Sequence, residues 1–227
     1  MWTRSELKDR CKVVMKRNYW MMLLVTFIYA LLNSNTNVSI NFTQVTTTIS
    51  NLGMYFHEGF NISPMMTSFF AGIPLLGFLI RCFITNPIQC GLHRFFIHNI
   101  EENQNVSVLF FAFQKDYLNV VKILFIRDLK TALWSLLLIF PGIYKGYEYR
   151  MIAPLLSQDP SMDMKEAFEK SKKMTNNEIL NMFILDLSFI GWRILGSLII
   201  IGNYFVDPYY YGVQAELYTQ LKTKLAA

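Results

Sequence analysis

Charge is what this sequence has least of: Asp, Glu, Lys and Arg make up 16% of its 227 residues, against 53% hydrophobic and 15% aromatic. An average soluble domain carries about a quarter charged residues, so this composition excludes an ordinary water-facing surface and points to a membrane protein. Cysteine is scarce too. Cys11, Cys82 and Cys90 show no C-x-x-C spacing, which argues against a disulfide framework or a cysteine metal site and leaves them as reduced structural thiols. H-E-x-x-H, G-x-S-x-G and a Walker loop are all missing, so no catalytic residue, metal site or cofactor is expected, and the chain does not read as an enzyme. A net charge of +5 could suit nucleic acid. The basic residues, however, sit beside apolar runs rather than on an aromatic-interleaved face, so orientation in a bilayer explains them and no nucleic-acid partner is expected.

Lys and Arg are absent altogether from residues 33–63, a stretch rich in Asn, Thr and Ser, and the positive-inside rule places it outside the cell. Its sequon matches at Asn37, Asn41 and Asn61 are what chance yields in such a composition. The basic residues gather elsewhere. Residues 1–17 carry Arg4, Lys8, Arg10, Lys12, Lys16 and Arg17, with Leu7, Cys11, Val14 and Met15 at helical spacing. That pattern predicts a basic amphipathic helix on the anionic inner leaflet, where each surface Lys or Arg is worth about 1 kcal/mol. The first apolar run begins only near Tyr19 and lacks a small-x-small cleavage site, so it is expected to stay as an anchor with the N-terminus in the cytoplasm. Residues 157–178 form a charged cytoplasmic insert. In it, Asp163 and Glu166 have capping-box spacing before a helix bearing Lys165, Lys170, Lys172 and Lys173.

Between these markers the hydropathy predicts a single all-α domain, a polytopic bundle of about six membrane spans in the plasma membrane: 19–32, 65–84, 118–140, 143–156, 179–201 and 204–221. Five spans with an outer C-terminal helix is the alternative; six keeps Lys222 and Lys224 inside. The first span is short, so the amphipathic helix is expected to run into it unbroken. Pro141-Gly142 and Gly202-Asn203 mark outer turns, and residues 106–113 a short amphipathic helix. Residues 88–100 continue the second span along the interface. His93 and His98 there are five apart, share no helix face and read as interfacial polar residues rather than a metal pair.

One pattern occurs twice inside the apolar runs. Phe125-Ile126-Arg127-Asp128-Leu129 is followed by Trp134, and Phe183-Ile184-Leu185-Asp186-Leu187 by Trp192, both reading F-I-x-D-L-x4-W. An Asp at a bilayer centre costs ~2.5–3.5 kcal/mol, so its return at the same offset signals a repeat. The spans end on related forms, Pro87 through Gly91, Pro208 through Gly212, and more loosely Pro141 through Gly146. They begin on related ones too, at Asn18-Tyr19, Asp116-Tyr117 and Asn176-Asn177. Three tandem hairpins follow, 1–100, 106–156 and 163–227. The charges within or beside the spans form a candidate intramembrane polar network: Arg81, Arg127, Asp128, Lys130, Lys145, Glu148, Arg150, Asp186, Arg193, Asp207 and Glu216. Depth counted from Pro141-Gly142 predicts that Asp128 pairs with Arg150.

At residues 141–149, Lys165-Glu166-Ala167, residues 185–192, Pro208-Tyr209-Tyr210-Tyr211 and Ala215-Glu216-Leu217-Tyr218, the chain resembles the bacterial integral membrane proteins grouped as domain of unknown function 975. The Met1-Trp2-Thr3-Arg4 start looks similar as well, and the resemblance spans nearly the whole chain except 33–63. More distantly, it is similar to the membrane domain fused to some glycerophosphodiester phosphodiesterases, whose chemistry resides in a soluble domain lacking here. The resemblance implies fold and bacterial membrane location and brings no activity. Two roles fit the residues. One is a non-catalytic interaction or accessory subunit, with a lipid or protein partner, working through the basic helix and insert; the other is a small transport or lipid-handling protein with a polar intramembrane pocket. The short chain tips the sequence reading to the first. A cavity lined by Asp128, Lys145, Glu148 and Arg150 would favour the second.

Overall fold

A computed structural model describes residues 2–34, 79–197 and 202–226. The expected outer loop with its sequons, residues 65–78 of the second span and residues 198–201 of the fifth lie outside them. Every described element is helical. In chain order these are α1 (Arg4–Ser34), a π-helical turn (Arg81–Thr85), α2 (Asn86–His98), a 3-10 turn (Val106–Phe110), α3 (Phe111–Gln114), α4 (Tyr117–Leu137), α5 (Ile139–Glu148), α6 (Ile152–Gln158), α7 (Met164–Thr175), α8 (Ile179–Ser197) and α9 (Gly202–Ala226). By length and composition one of them is apolar enough to cross a membrane, Ile179–Gly196 in α8, with a mean hydropathy of 1.5. Lys122, Arg127, Asp128 and Lys130 lower α4, and the basic first half lowers α1.

Each long apolar helix begins at an Asn or Asp that leaves helical geometry. Asn18 kinks α1 (φ −141°, ψ 36°), so the amphipathic helix does not run unbroken into the apolar one. Asp116 precedes α4 at φ 49° and Asn177 precedes α8 at φ 61°, both in the left-handed region that Asn and Asp tolerate. The first break is locked from a distance. Asn18 Nδ2 donates to Asn99 Oδ1 at 2.7 Å, and Arg17 donates to the carbonyl oxygens of Asn99, Ile100 and Glu101, satisfying acceptors at the end of α2. Arg17 therefore caps the end of α2.

The apolar stripe of α1 is likewise used internally. Leu7 and Cys11 are buried against α9, where a Cβ on Gly212 would stand 2.5 Å from Cys11 Sγ. Burial, with Glu216 nearby, pushes the Cys11 thiol up to about 12, which leaves it protonated and inert. Lys8 reaches α8, donating to Ser188 Oγ at 2.9 Å. A second cluster joins Met22 and Val25 of α1 to Leu92 and Phe95 of α2 and Leu109 of the 3-10 turn.

Several local expectations shift. Residues 106–110 are 3-10 rather than α-helical. Pro141-Gly142 lies inside α5, the turn falling instead at extended Leu138. The expected fourth span is not one helix, because Tyr149–Met151 break it between α5 and α6. Gly202-Asn203 opens α9 rather than forming a turn. Asp163 caps α7 as expected of an N-cap but accepts from the amide of Lys165 at 2.9 Å, not from that of Glu166.

The end of α9 is tied to the start of α8. Glu178, 2% exposed, accepts from Lys224 Nζ at 2.5 Å and from Asn181 Nδ2 at 3.0 Å. Burial works to raise its carboxyl, but these donors outweigh burial and hold it below its ordinary value. Such a pairing stabilises the fold above about pH 4 and is lost as pH falls further through the depressed value. Glu178→Gln is thus expected to unfold at a lower temperature than wild type at pH 7, with the gap closing between about pH 5 and 3. A gap that persists in acid would show that the charge is not its cause.

Candidate functional site

The F-I-x-D-L carboxylates each anchor an arginine, though not the pairing that depth counting predicts. Arg150 donates from Nη1 to Asp186 Oδ2 at 2.6 Å and from Nη2 to Asp186 Oδ1 at 3.1 Å and to Tyr210 Oη at 2.6 Å. Tyr147 Oη donates to Asp186 Oδ2 at 2.8 Å, and Gln214 Nε2 to Oδ1 at 3.3 Å. Asp128 instead accepts from its neighbour Arg127, at 2.9 Å from Nε and 2.7 Å from Nη2, and from Asn86 Nδ2 at 3.0 Å. The reason lies in the backbone. Arg150 sits in the break between α5 and α6, which turns its guanidinium toward α8 and α9, while Asp128 is already satisfied by Asn86 at the start of α2 and by its own helix.

Asp128, Arg127 and Arg150 nonetheless face one cavity of about 500 Å³. Its lining comes from the π turn (Arg81), α2 (Gln89, His93), one face of α4 (Asp128, Thr131, Ala132, Ser135), the end of α5, the break and α6 (Gly146, Tyr149, Arg150, Met151, Pro154) and α9 (Tyr210, Tyr211, Gln214). The α4 positions follow helical spacing i, i+3, i+4, i+7. Two of the related span ends meet there as well. Gln89 and His93 stand two residues either side of Gly91, and Tyr210 and Gln214 two either side of Gly212. Both glycines lie at a close approach, for a Cβ on Gly91 would meet the Leu109 carbonyl oxygen at 1.9 Å.

The other candidates fall outside the cavity. Lys145 and Glu148 pair with each other at 2.8 Å, and the Glu148 carbonyl accepts from Ser171 Oγ at 2.6 Å. Lys130 lies 4.1 Å from the centre of the Phe168 ring. Arg193 approaches Asp207 at 3.8 Å and covers the Tyr210 ring. Glu216 is buried in α9. Charge alone misses Gln89, His93, Tyr210 and Gln214. The shared offset around the two glycines is the signal that finds them.

Fold and site together define a protein whose described elements are all helical, with a half-open cavity in which charged and polar groups converge. Residues 131–224 match the model of a family described as a protein of unknown function (DUF975), a narrower stretch than the near-whole-chain resemblance. No curated protein and no solved structure matches the chain. The matched stretch holds Arg150, Asp186 and the α9 lining, whereas Arg81, Gln89, His93, Arg127 and Asp128 precede it.

Proposed function

We propose a polytopic membrane protein of three tandem hairpins that holds a small polar solute or a lipid head group in this cavity, a binding or transport role rather than a catalytic one. The observation that carries the reading is the two-sidedness of α4. The face opposite the cavity exposes Leu129, Leu133 and Leu137. Similar stripes run along α1 (Trp20, Leu24, Phe27, Leu31) and α8 (Leu180, Phe183, Leu187, Ile190, Ile194), each at the spacing of one helix face. Exposed apolar stripes on three helices call for lipid to cover them, while the half-buried charges on the other face of α4 call for water or a ligand. The Asn and Asp breaks before α1's apolar half, α4 and α8 support the hairpin repeat, with the N-terminus and residues 157–178 inside.

A second reading, an accessory subunit, draws on exposed Arg4, Lys16, Lys165, Lys172 and Lys173, which leave a basic surface on α1 and α7.

Adjacent residues at one depth test the first reading. In membranes, on a background with Cys11, Cys82 and Cys90 replaced, Ala132→Cys should react with a charged water-soluble thiol reagent and Leu133→Cys should not. Equal reaction at both would remove the lipid-facing surface, and none at Ala132→Cys would remove the water-filled pocket.

A further inference from the structure

We propose that the cavity is a site for a phosphate-type anion, with Arg81 and Arg127 as its charged ligands; the proposal rests on the pocket reading above. Arg81, Arg127 and Arg150 face two carboxylates, Asp128 in the lining and Asp186 behind Arg150, so one positive charge is left over. That charge is Arg81. Among the described residues its side chain makes no hydrogen bond or ion pair, so the five N–H donors of the guanidinium are uncommitted.

Its position is set by the π turn. There the Asn86 amide reaches back to the Arg81 carbonyl while the Asn86 side chain holds Asp128 Oδ2. Such turns occur often at functional sites because they re-aim side chains without ending the helix. The same contact leaves Arg127 half used: Nε and Nη2 serve Asp128 and Gln89, and Nη1 remains. The His93 imidazole, in the same lining, makes no hydrogen bond among the described residues.

The spare groups are therefore donors of positive sign on separate elements, the π turn and α4, and they call for an acceptor of opposite charge. A carboxylate offers two oxygens in one plane, whereas a tetrahedral oxyanion presents oxygens toward both elements at once. A cavity of about 500 Å³ also leaves room for a substituent on that anion, as in a phosphate ester. The phosphate of a lipid head group and a free phosphate share this chemistry.

The test is thermal unfolding of the full chain in detergent. The ligands are inorganic phosphate, dihexanoyl phosphatidic acid, and dihexanoylglycerol, which has the same chains and no phosphate. Phosphatidic acid should raise the midpoint at concentrations about tenfold below those dihexanoylglycerol needs. Arg81→Gln should weaken that response about tenfold, as loss of a charged hydrogen bond does, with Arg81→Lys retaining part of it. Since Arg81 is exposed, the ligand-free midpoint of Arg81→Gln should match wild type. Inorganic phosphate acting in the same concentration range assigns free phosphate as the source; a response to phosphatidic acid alone assigns a lipid head group. An equal response to dihexanoylglycerol, no response to either phosphate compound, or wild-type binding by Arg81→Gln overturns the proposal. Ala132→Cys labelling separates the failures: a labelled but phosphate-blind protein keeps the pocket and loses the anion.

Discussion

Truncating Asp186 to alanine is expected to destabilise the protein more than any other single change in the charged network. The carboxylate accepts from Tyr147, from both terminal nitrogens of Arg150 and from Gln214, so it ties the break between α5 and α6 to α8 and α9. Alanine would strand the Arg150 guanidinium, whose side chain is only 20% exposed. A buried charge deprived of its partner typically costs ~3–5 kcal/mol. Asp186→Asn keeps the shape and loses the charge, and should fall between. Two double-mutant cycles, read by thermal unfolding in detergent, decide the partner. Asp186→Ala combined with Arg150→Ala should recover roughly 1–3 kcal/mol of the summed losses, whereas Asp128→Ala with Arg150→Ala should add to within about 0.5 kcal/mol. Additive losses in the first cycle, or coupling in the second, would return Arg150 to Asp128.

Gly91→Ala should be comparably severe for a steric reason. Its Cβ would lie 1.9 Å from the Leu109 carbonyl oxygen and 2.5 Å from the carbonyl carbon, so α2 and the 3-10 turn must separate. Overpacking costs ~1–3 kcal/mol where side chains can yield, and more where backbone must move. Gly191, in α8, is the control, because a Cβ there meets nothing within 4 Å. Gly191→Ala should stay within about 1 kcal/mol of wild type, the helix-propensity difference between the two residues. A Gly91→Ala protein with a wild-type unfolding temperature would mean that α2 does not approach the turn this closely.

The contrast between these sites shows what the sequence could carry. The helical class was legible from apolar periodicity, and so were the entries at Asp116 and Asn177, because Asn and Asp have local reasons to leave a helix; the break at Asn18 was not, since the short first span called for an unbroken helix there. The costly Asp128 and Asp186 were legible as residues that need a partner. Their partners were not. Pro154 cannot donate to the Arg150 carbonyl, so it marks a break before α6, but nothing local announces which way that break aims Arg150. Arg17 reads as one more basic residue beside a membrane, yet its acceptors lie more than eighty positions away, at the end of α2. Gln89, His93 and Gln214 carry no charge at neutral pH or too weak a signal alone, and only their common offset from Gly91 and Gly212 marks them.

The two-faced construction of α4 also restricts how the cavity could ever open. A roll of the helix by a single residue, about 100°, would carry Asp128 to the position of Leu129 and Ser135 to that of Leu136, on the side the proposed membrane reading gives to lipid. Exposing that one carboxylate to lipid costs ~2.5–3.5 kcal/mol before any ion pair is broken. Rotation is therefore the one motion this helix is built to resist. On the proposed transport reading, opening of the cavity then comes from tilting or sliding of α4 against α5, or from a swing of the π turn that carries Arg81.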